Sequence, residues 1–161
     1  MTTTRTSEAL STSSEAAAGA AQLLSPVVID LEALVVDGKQ AHWHVRGPNF
    51  VGVHELLDQI VAHAQDFADT AAERIVALGL PLDSRVKTVA AKNTLPELTE
   101  GFTSSADLIP QVIAQIDAVI ATTRAAIKGL DEVDLASQDV AIAIEQGLVK
   151  DRWFLQAHIA G

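Results

Sequence analysis

The first helical pattern of apolar residues begins at about residue 16. Its main apolar face carries Leu24, Val28, Leu31, Val35, Gly38 and His42. A narrower stripe lies beside that face and consists of Ile29, Val36 and Trp43. Because a helix with two apolar stripes usually touches two neighbours, we expect this helix to make two separate contacts. Pro26 allows two interpretations: it occupies the first turn of the helix behind a Ser25 cap, or it kinks a longer helix.

Three further amphipathic helices follow. A Gly-Pro-Asn turn at 47–49 precedes a long helix predicted over about 50–78, which Gly79 and Pro81 end. The segment 80–102 is broken by proline and glycine and is expected to hold a loop with a short helix. The third long helix is predicted over about 105–128, with Gly129 as its stop, and the fourth over about 135–159. Four long helices with short connections indicate an all-α fold, a four-helix bundle.

Composition restricts the class of protein. The 161 residues suit one domain, and we divide them into a flexible Ser/Thr-rich tail at 1–15 and a bundle domain at 16–161. Because the chain has no cysteine, disulfides and thiol catalysis are excluded, and a reducing cytoplasm is the expected location. We find no targeting segment and no run of 18 apolar residues, so we expect no membrane span. The net charge of −10 favours metal cations over nucleic acid as partners.

The second helix carries most of the candidate chemistry. On a helical wheel, His54, Asp58, Asp69 and Glu73 fall within about 100° of one another. The opposite side carries the apolar set that we expect to form the core: Leu56, Ile60, Ala64, Phe67, Ala71, Ile75 and Leu78. The polar stripe therefore points out of its own bundle. Because its two halves lie about 16 Å apart along the helix, one metal ion cannot join them within one chain.

Two-fold symmetry removes this difficulty. The pairs 54/73 and 58/69 share one midpoint, between His63 and Ala64. Two antiparallel copies of the helix therefore place His54 beside Glu73 of a second copy, and Asp58 beside its Asp69, in two identical sites. The turn at 47–49 brings His42 roughly level with His54, which completes a mixed nitrogen and oxygen shell suited to Fe(II), Mn(II) or Zn(II). The alternative is a solvated polar stripe beside a core histidine.

The segments around these residues resemble a known family. AHWHVRGPNF, HELLD and DTAAERI, followed by the closing RWFLQAHI, are similar to the signature of the Dps proteins, the DNA-binding proteins from starved cells or miniferritins. The resemblance implies a ferritin-like four-helix bundle with a short helix between helices two and three. It also implies a hollow homododecamer with ferroxidase centres at its two-fold interfaces. Such centres oxidise Fe(II), typically with hydrogen peroxide, and the ferric mineral is stored inside.

The resemblance also assigns roles to residues. The family's iron ligands fall on His42, His54 and Asp58 of one chain and on Asp69 and Glu73 of its partner. Trp43 matches a family tryptophan thought to donate electrons to reactive oxygen intermediates, although packing at an interface explains it equally well.

Other polar residues are given simpler interpretations. His44 leaves the face of the metal ligands, so we expect a surface residue, and His63 lies opposite His54 and is not counted as a ligand. Asp134 and Asp139 begin the fourth helix. The resemblance implies that they line an iron-entry pore at a three-fold axis, whereas capping and dipole complementation are the alternative.

Three functions follow from these patterns. A ferroxidase and iron store that removes Fe(II) and peroxide together agrees best with the five ligands. A nucleoid-binding protein is disfavoured, because residues 1–20 carry only Arg5 against two glutamates and the last residue is Gly161. A metal-dependent amide or ester hydrolase is chemically possible on the same scaffold, but the sequence contains no nucleophile elbow and no HExxH motif.

Overall fold

A computed structural model of the chain describes residues 13–159. Four long helices form a bundle, and a short helix lies in the connection between the second and third of them, as the sequence predicts. The elements in order are α1 (Ser14–His44), β1 (Val45–Arg46), α2 (Phe50–Ala77), α3 (Val86–Lys92), β2 (Thr103–Ser104), α4 (Ser105–Leu130) and α5 (Leu135–Ala157). The two short strands pair in parallel.

The helix α1 settles the question raised by Pro26. The helix is continuous from Ser14 to His44 with Pro26 inside it, so the longer helix is the correct alternative. Ser13 is the N-cap, since its hydroxyl accepts a hydrogen bond from the amide of Ala16 at 3.2 Å. The predicted tail was therefore two residues too long at its boundary. Residues 1–12, which make up the rest of that tail, lie outside the described residues.

The core lies where the apolar faces meet. Most of the predicted core face of α2 is buried, and Phe67 and Leu78 are half-buried at its edge. Gly38 of α1 lies against Val61 of α2 so closely that an added Cβ would come within 2.8 Å of a Val61 methyl carbon. This close approach fixes the relative height of α1 and α2, which matters for the site described below.

One predicted helix end was wrong. We expected the third long helix to stop at Gly129, but α4 continues to Leu130. A Cβ on Gly129 would lie 2.6 Å from a methyl carbon of Leu23 in α1. The glycine is therefore required for close helix packing and does not terminate the helix.

The connection between α3 and α4 is fixed by a buried carboxylate. Asp30 of α1 accepts hydrogen bonds from the amide and hydroxyl of Thr94, both at 2.8 Å, and from the hydroxyl of Thr122 at 2.6 Å. Asp30 is 1% exposed, so these bonds satisfy a charge that burial would otherwise disfavour. They join α1, the connection and α4.

The helix α1 is also the one helix among residues 13–159 that is long and apolar enough to cross a membrane by length and composition. Half of its most apolar window is buried inside the bundle. The core helix of a compact bundle meets the same criterion, and α1 packs against α2 and α4 here.

Candidate metal centre

His42 and His54 form a reciprocal pair between α1 and α2. The Nδ1 atom of His42 donates to the carbonyl oxygen of His54 at 2.7 Å, and the Nδ1 atom of His54 donates to the carbonyl oxygen of His42 at 2.8 Å. The two rings are stacked, with centroids 3.6 Å apart. A carbonyl oxygen can only accept a hydrogen bond, so each neutral ring carries its proton on Nδ1. Each Nε2 atom is then left with a lone pair that can bind a cation.

Asp58 lies one turn of α2 beyond His54 and is exposed. Its carboxylate oxygen is 4.0 Å from Nδ1 of His42 and pairs with the ammonium group of Lys39. The hydrogen bond from Lys39 is the main reason that the pKa of Asp58 lies below its ordinary value. In a single chain, the carboxylate that we expect to bind metal is thus paired with a positively charged side chain.

Asp69 and Glu73 are exposed on the same helix, further towards its C-terminus. They do not approach His42, His54 or Asp58, since 11 residues of helix separate Asp58 from Asp69, a rise of about 16 Å. Within residues 13–159 of one chain, no group of three or more His, Asp or Glu side chains is placed to hold a metal ion. One chain therefore brings together only part of the predicted ligand set.

Trp43 is 59% exposed beside this pair of histidines. In the stripe that contains it, Ile29 is buried and Val36 is 65% exposed, so residues 13–159 leave two of its three side chains largely uncovered. His44 was expected to be a surface residue. It is half-buried, because its ring packs edge-on against Phe102.

His63 has a partner that the sequence analysis missed. Its Nδ1 atom lies 3.0 and 3.1 Å from the two carboxylate oxygens of Asp151 on α5. Burial raises the pKa of Asp151, and the hydrogen bond and charge of His63 oppose that shift. A signal for this pair was present, because Asp151 falls between Leu148 and Leu155 on the buried face of α5 and needs a polar partner there.

The carboxylate of Asp134 accepts hydrogen bonds from residues of its own chain. Its carboxylate caps α5 by accepting from the amide of Ser137 at 3.2 Å, and Arg74 donates to it at 2.6 Å. Burial raises its pKa, but the hydrogen bonds from Arg74 and Ser137 outweigh burial and leave the pKa below its ordinary value. Capping therefore accounts for Asp134. Asp139 is exposed one turn further along α5.

The helical bundle agrees with the comparisons. The ferritin-like domain matches residues 24–161. The DNA protection during starvation protein of Mycolicibacterium smegmatis is 34% identical over 151 residues, which cover 91% of this chain and 80% of the relative. The protein of that name from Agrobacterium fabrum is 37% identical over 133 residues, which cover 82% of this chain and 80% of the relative. The chain belongs to the Dps family of ferritin-like proteins.

Solved Dps structures share the whole fold. Dps from Microbacterium arborescens, solved in a high iron form, is 61% identical with a TM-score of 0.91, and the match covers 95% of this chain and 100% of that one. Dps from Mycobacterium smegmatis in a tetragonal form is 32% identical with a TM-score of 0.87, and the match covers 95% and 93% of the two chains. Dps membership supports an iron-storage and ferroxidase-type role together with DNA protection, and it implies iron binding and homo-oligomeric assembly.

Proposed function

We propose that this Dps protein oxidises Fe(II) with hydrogen peroxide at sites shared by two chains and stores the ferric product inside a hollow dodecamer. Two Fe(II) ions each give one electron to hydrogen peroxide, the O–O bond breaks, and two hydroxide ions form. The cell is thereby protected from Fe(II) and peroxide together. We expect the protein to act in the cytoplasm, because a chain without cysteine needs no disulfides and suits a reducing compartment.

The observation that carries this proposal is the reciprocal bonding of His42 and His54. Two backbone carbonyls hold both imidazoles in the tautomer that a metal ion requires, so the site is arranged before any cation arrives. Imidazole nitrogen suits Fe(II), and the carboxylates stabilise the higher charge of Fe(III). The donor types therefore favour the reaction in the oxidising direction.

The second chain supplies the remaining carboxylates. In the antiparallel arrangement Asp69 and Glu73 of the partner subunit approach Asp58 and His54. Such an arrangement places carboxylates opposite one another, which is unfavourable unless a cation lies between them. Lys39 provides a positive charge when no metal is bound, because it already pairs with Asp58.

The test removes one ligand from each half of the site. Asp58→Ala combined with Glu73→Ala is expected to abolish rapid Fe(II) oxidation, followed by ferric absorbance after peroxide is added, while size-exclusion chromatography still shows the oligomer. Glu97→Ala combined with Glu100→Ala is the matched control, since it removes two exposed carboxylates from the connection after α3. Oxidation at the wild-type rate in the ligand variant would refute the proposal.

We assign Trp43 a role beside this site, either in packing or as an electron donor to reactive oxygen intermediates.

Asp139 stays a candidate for the iron-entry pore, whereas Asp134 is the weaker candidate because Arg74 already neutralises it. Replacement of Asp139 by Asn is expected to slow iron uptake without changing the affinity of the shared site for Zn(II).

Tight DNA binding is not expected. Ion pairs with carboxylates occupy five of the cationic side chains among residues 13–159: Lys39, Arg74, Arg85, Arg124 and Arg152. Because affinity for DNA depends on cations that are free to replace counterions, DNA protection by this chain is explained better by removal of Fe(II) and peroxide. A gel-shift assay at about 0.15 M salt, near physiological ionic strength, checks this expectation.

A further inference from the structure

His63 and Asp151 form a polar pair at the contact between α2 and α5, away from the residues of the shared site. On the helical wheel His63 lies about 180° from His54, and the nine residues of helix between them span about 14 Å. We propose that His63 and Asp66 bind a divalent transition-metal ion such as Zn(II), with Asp151 as the residue that orients the imidazole. This second site has its own place and its own ligands, so it does not depend on the proposed function.

The carboxylate of Asp151 fixes the orientation of the His63 ring. The Nδ1 atom of His63 lies 3.0 and 3.1 Å from the two carboxylate oxygens, so its N–H group donates to both of them. The proton is thus held on Nδ1, and Nε2, on the far side of the ring, keeps its lone pair. Histidine ligands of metal ions characteristically donate the N–H group of their other nitrogen to a carboxylate in this way.

The two partners differ sharply in exposure. The side chain of His63 is 47% exposed, whereas that of Asp151 is 2% exposed. Burial raises the pKa of Asp151, because its charged form is disfavoured away from water. An apolar residue between Leu148 and Leu155 would fill this buried position without that penalty. The carboxylate is therefore better explained by its effect on the exposed imidazole than by packing.

Asp66 supplies the second ligand. It lies three residues beyond His63 on α2, and side chains at that spacing are neighbours on a helix surface, with Cβ atoms about 5–6 Å apart. Asp66 is exposed, and the hydroxyl of Thr70 donates at 2.8 Å to its backbone carbonyl, not to its carboxylate. Imidazole nitrogen and carboxylate oxygen together suit Zn(II) and similar ions, and water completes the shell.

Lys150 of α5 is the charged group that opposes a cation at this place. Its positive charge acts on Asp151, and its ammonium nitrogen lies 5.6 Å from the centre of the Phe154 ring. Because Lys150 is exposed, its long side chain is free to turn towards water when a cation binds. Lys150→Met is therefore expected to tighten Zn(II) binding several-fold.

Zinc binding tests the site in a protein that lacks the shared one. The background variant carries alanine at the four candidate ligands of α2 in the shared site: His54, Asp58, Asp69 and Glu73. Competition with a chromophoric chelator is expected to show one bound Zn(II) ion per chain. His63→Ala is expected to remove that ion, whereas His158→Ala, which removes another exposed histidine, is expected to keep it. No zinc binding by the background variant, or equal binding with and without His63, would overturn the proposal.

The two carboxylates are tested separately in the same background. Asp66→Asn removes a ligand and is expected to weaken Zn(II) binding at least tenfold. Asp151→Asn keeps an acceptor for Nδ1 but removes the charge, and it is also expected to weaken binding by about tenfold or more. Because Asp66 is exposed, its variant keeps the proposal testable if Asp151→Asn does not fold. Unchanged affinity in Asp66→Asn would contradict the proposed ligand pair.

Pulsed electron paramagnetic resonance of the background variant with Cu(II) separates orientation of the ring from a purely structural role. The method detects the remote nitrogen of a metal-bound imidazole, and the quadrupole coupling of that nitrogen depends on its hydrogen bond. The imidazole signal is expected to disappear in His63→Ala and to shift in Asp151→Asn. An unshifted signal in Asp151→Asn would contradict the positioning role of Asp151. These outcomes are distinguishable from failure of the proposed function, because no Fe(II) oxidation is measured.

Discussion

Subunit mixing tests the shared site most directly. One variant carries His54→Ala and Asp58→Ala, which destroys the histidine half of every site it enters. A second variant carries Asp69→Ala and Glu73→Ala, which destroys the carboxylate half. Each variant alone is expected to be inactive, because every site in its oligomer lacks one half. A mixture of the two contains all the ligands, although on different chains.

The expected recovery follows from counting. In a random one-to-one mixture, half of the chains supply an intact histidine half and half supply an intact carboxylate half. About a quarter of all sites are therefore complete, since each site takes its halves from two chains. The proposed site needs two chains because Asp58 and Asp69 lie about 16 Å apart along α2. A site confined to one chain would recover nothing in such a mixture.

The assay is the amplitude of rapid Fe(II) oxidation per chain after the two variants are dissociated together and reassembled. Wild-type protein carried through the same treatment sets the full amplitude. In a second measurement, wild-type protein is combined one-to-one with a variant that lacks all four candidate ligands of α2. The amplitude per chain is expected to fall from about half of the wild-type value before the subunits exchange to about a quarter after they exchange. An inactive mixture of the two double variants, together with an unchanged half amplitude in this second experiment, would refute the shared site.

Three further outcomes are expected. Lys39→Met, which removes the positive charge that competes at Asp58, is expected to bind Zn(II) several-fold more tightly than Lys39→Arg in isothermal titration. Asp30→Ala is expected to lower the free energy of unfolding in urea by about 3 kcal/mol, because three hydrogen-bond donors lose their acceptor, and to speed amide exchange at Thr94. Asp134→Ala is expected to cost about 1 kcal/mol at neutral pH through loss of the cap of α5. Because the pKa of Asp134 is lowered in the folded protein, its carboxylate stabilises the fold above its ordinary pKa and loses that effect as the pH falls. In urea unfolding, the free energy of unfolding of the variant is therefore expected to decrease less at acid pH than that of the wild-type protein.

The bundle itself could be predicted from the sequence because helix periodicity is local. The ends of α2, α4 and α5 fell within two residues of the expected positions. The error at Gly129 shows the limit of such reasoning, since a glycine that ends a helix and a glycine that admits a neighbouring side chain look identical in one sequence. Pro26 was undecided for a similar reason, because the tertiary packing of α1 outweighs the local preference.

The site could be predicted only in part. Helical geometry was enough to place the four candidate ligands of α2 on one outward face, because their angles depend on spacing alone. The hydrogen bonds between His42 and His54, and the pairing of His63 with Asp151, depend on how close separate helices come. Spacing along one helix carries no information on that distance. The same holds for Lys39, which competes for a predicted ligand from a neighbouring helix.

In the proposed two-fold arrangement, the carboxylate face of α2 links cation binding to assembly. An isolated chain holds Asp58, Asp69 and Glu73 exposed, and a second chain brings these like charges together. Assembly without a cation is opposed by that repulsion, and Lys39 offsets only the part that involves Asp58. A cation at the shared site removes the repulsion and binds the dimer better than either chain alone. By linkage it must then stabilise the dimer by RT ln(1 + [L]/Kd) for each site, about 2.7 kcal/mol at a concentration one hundred times Kd. We therefore expect iron supply and assembly to be coupled through the carboxylates to which we assign the chemistry.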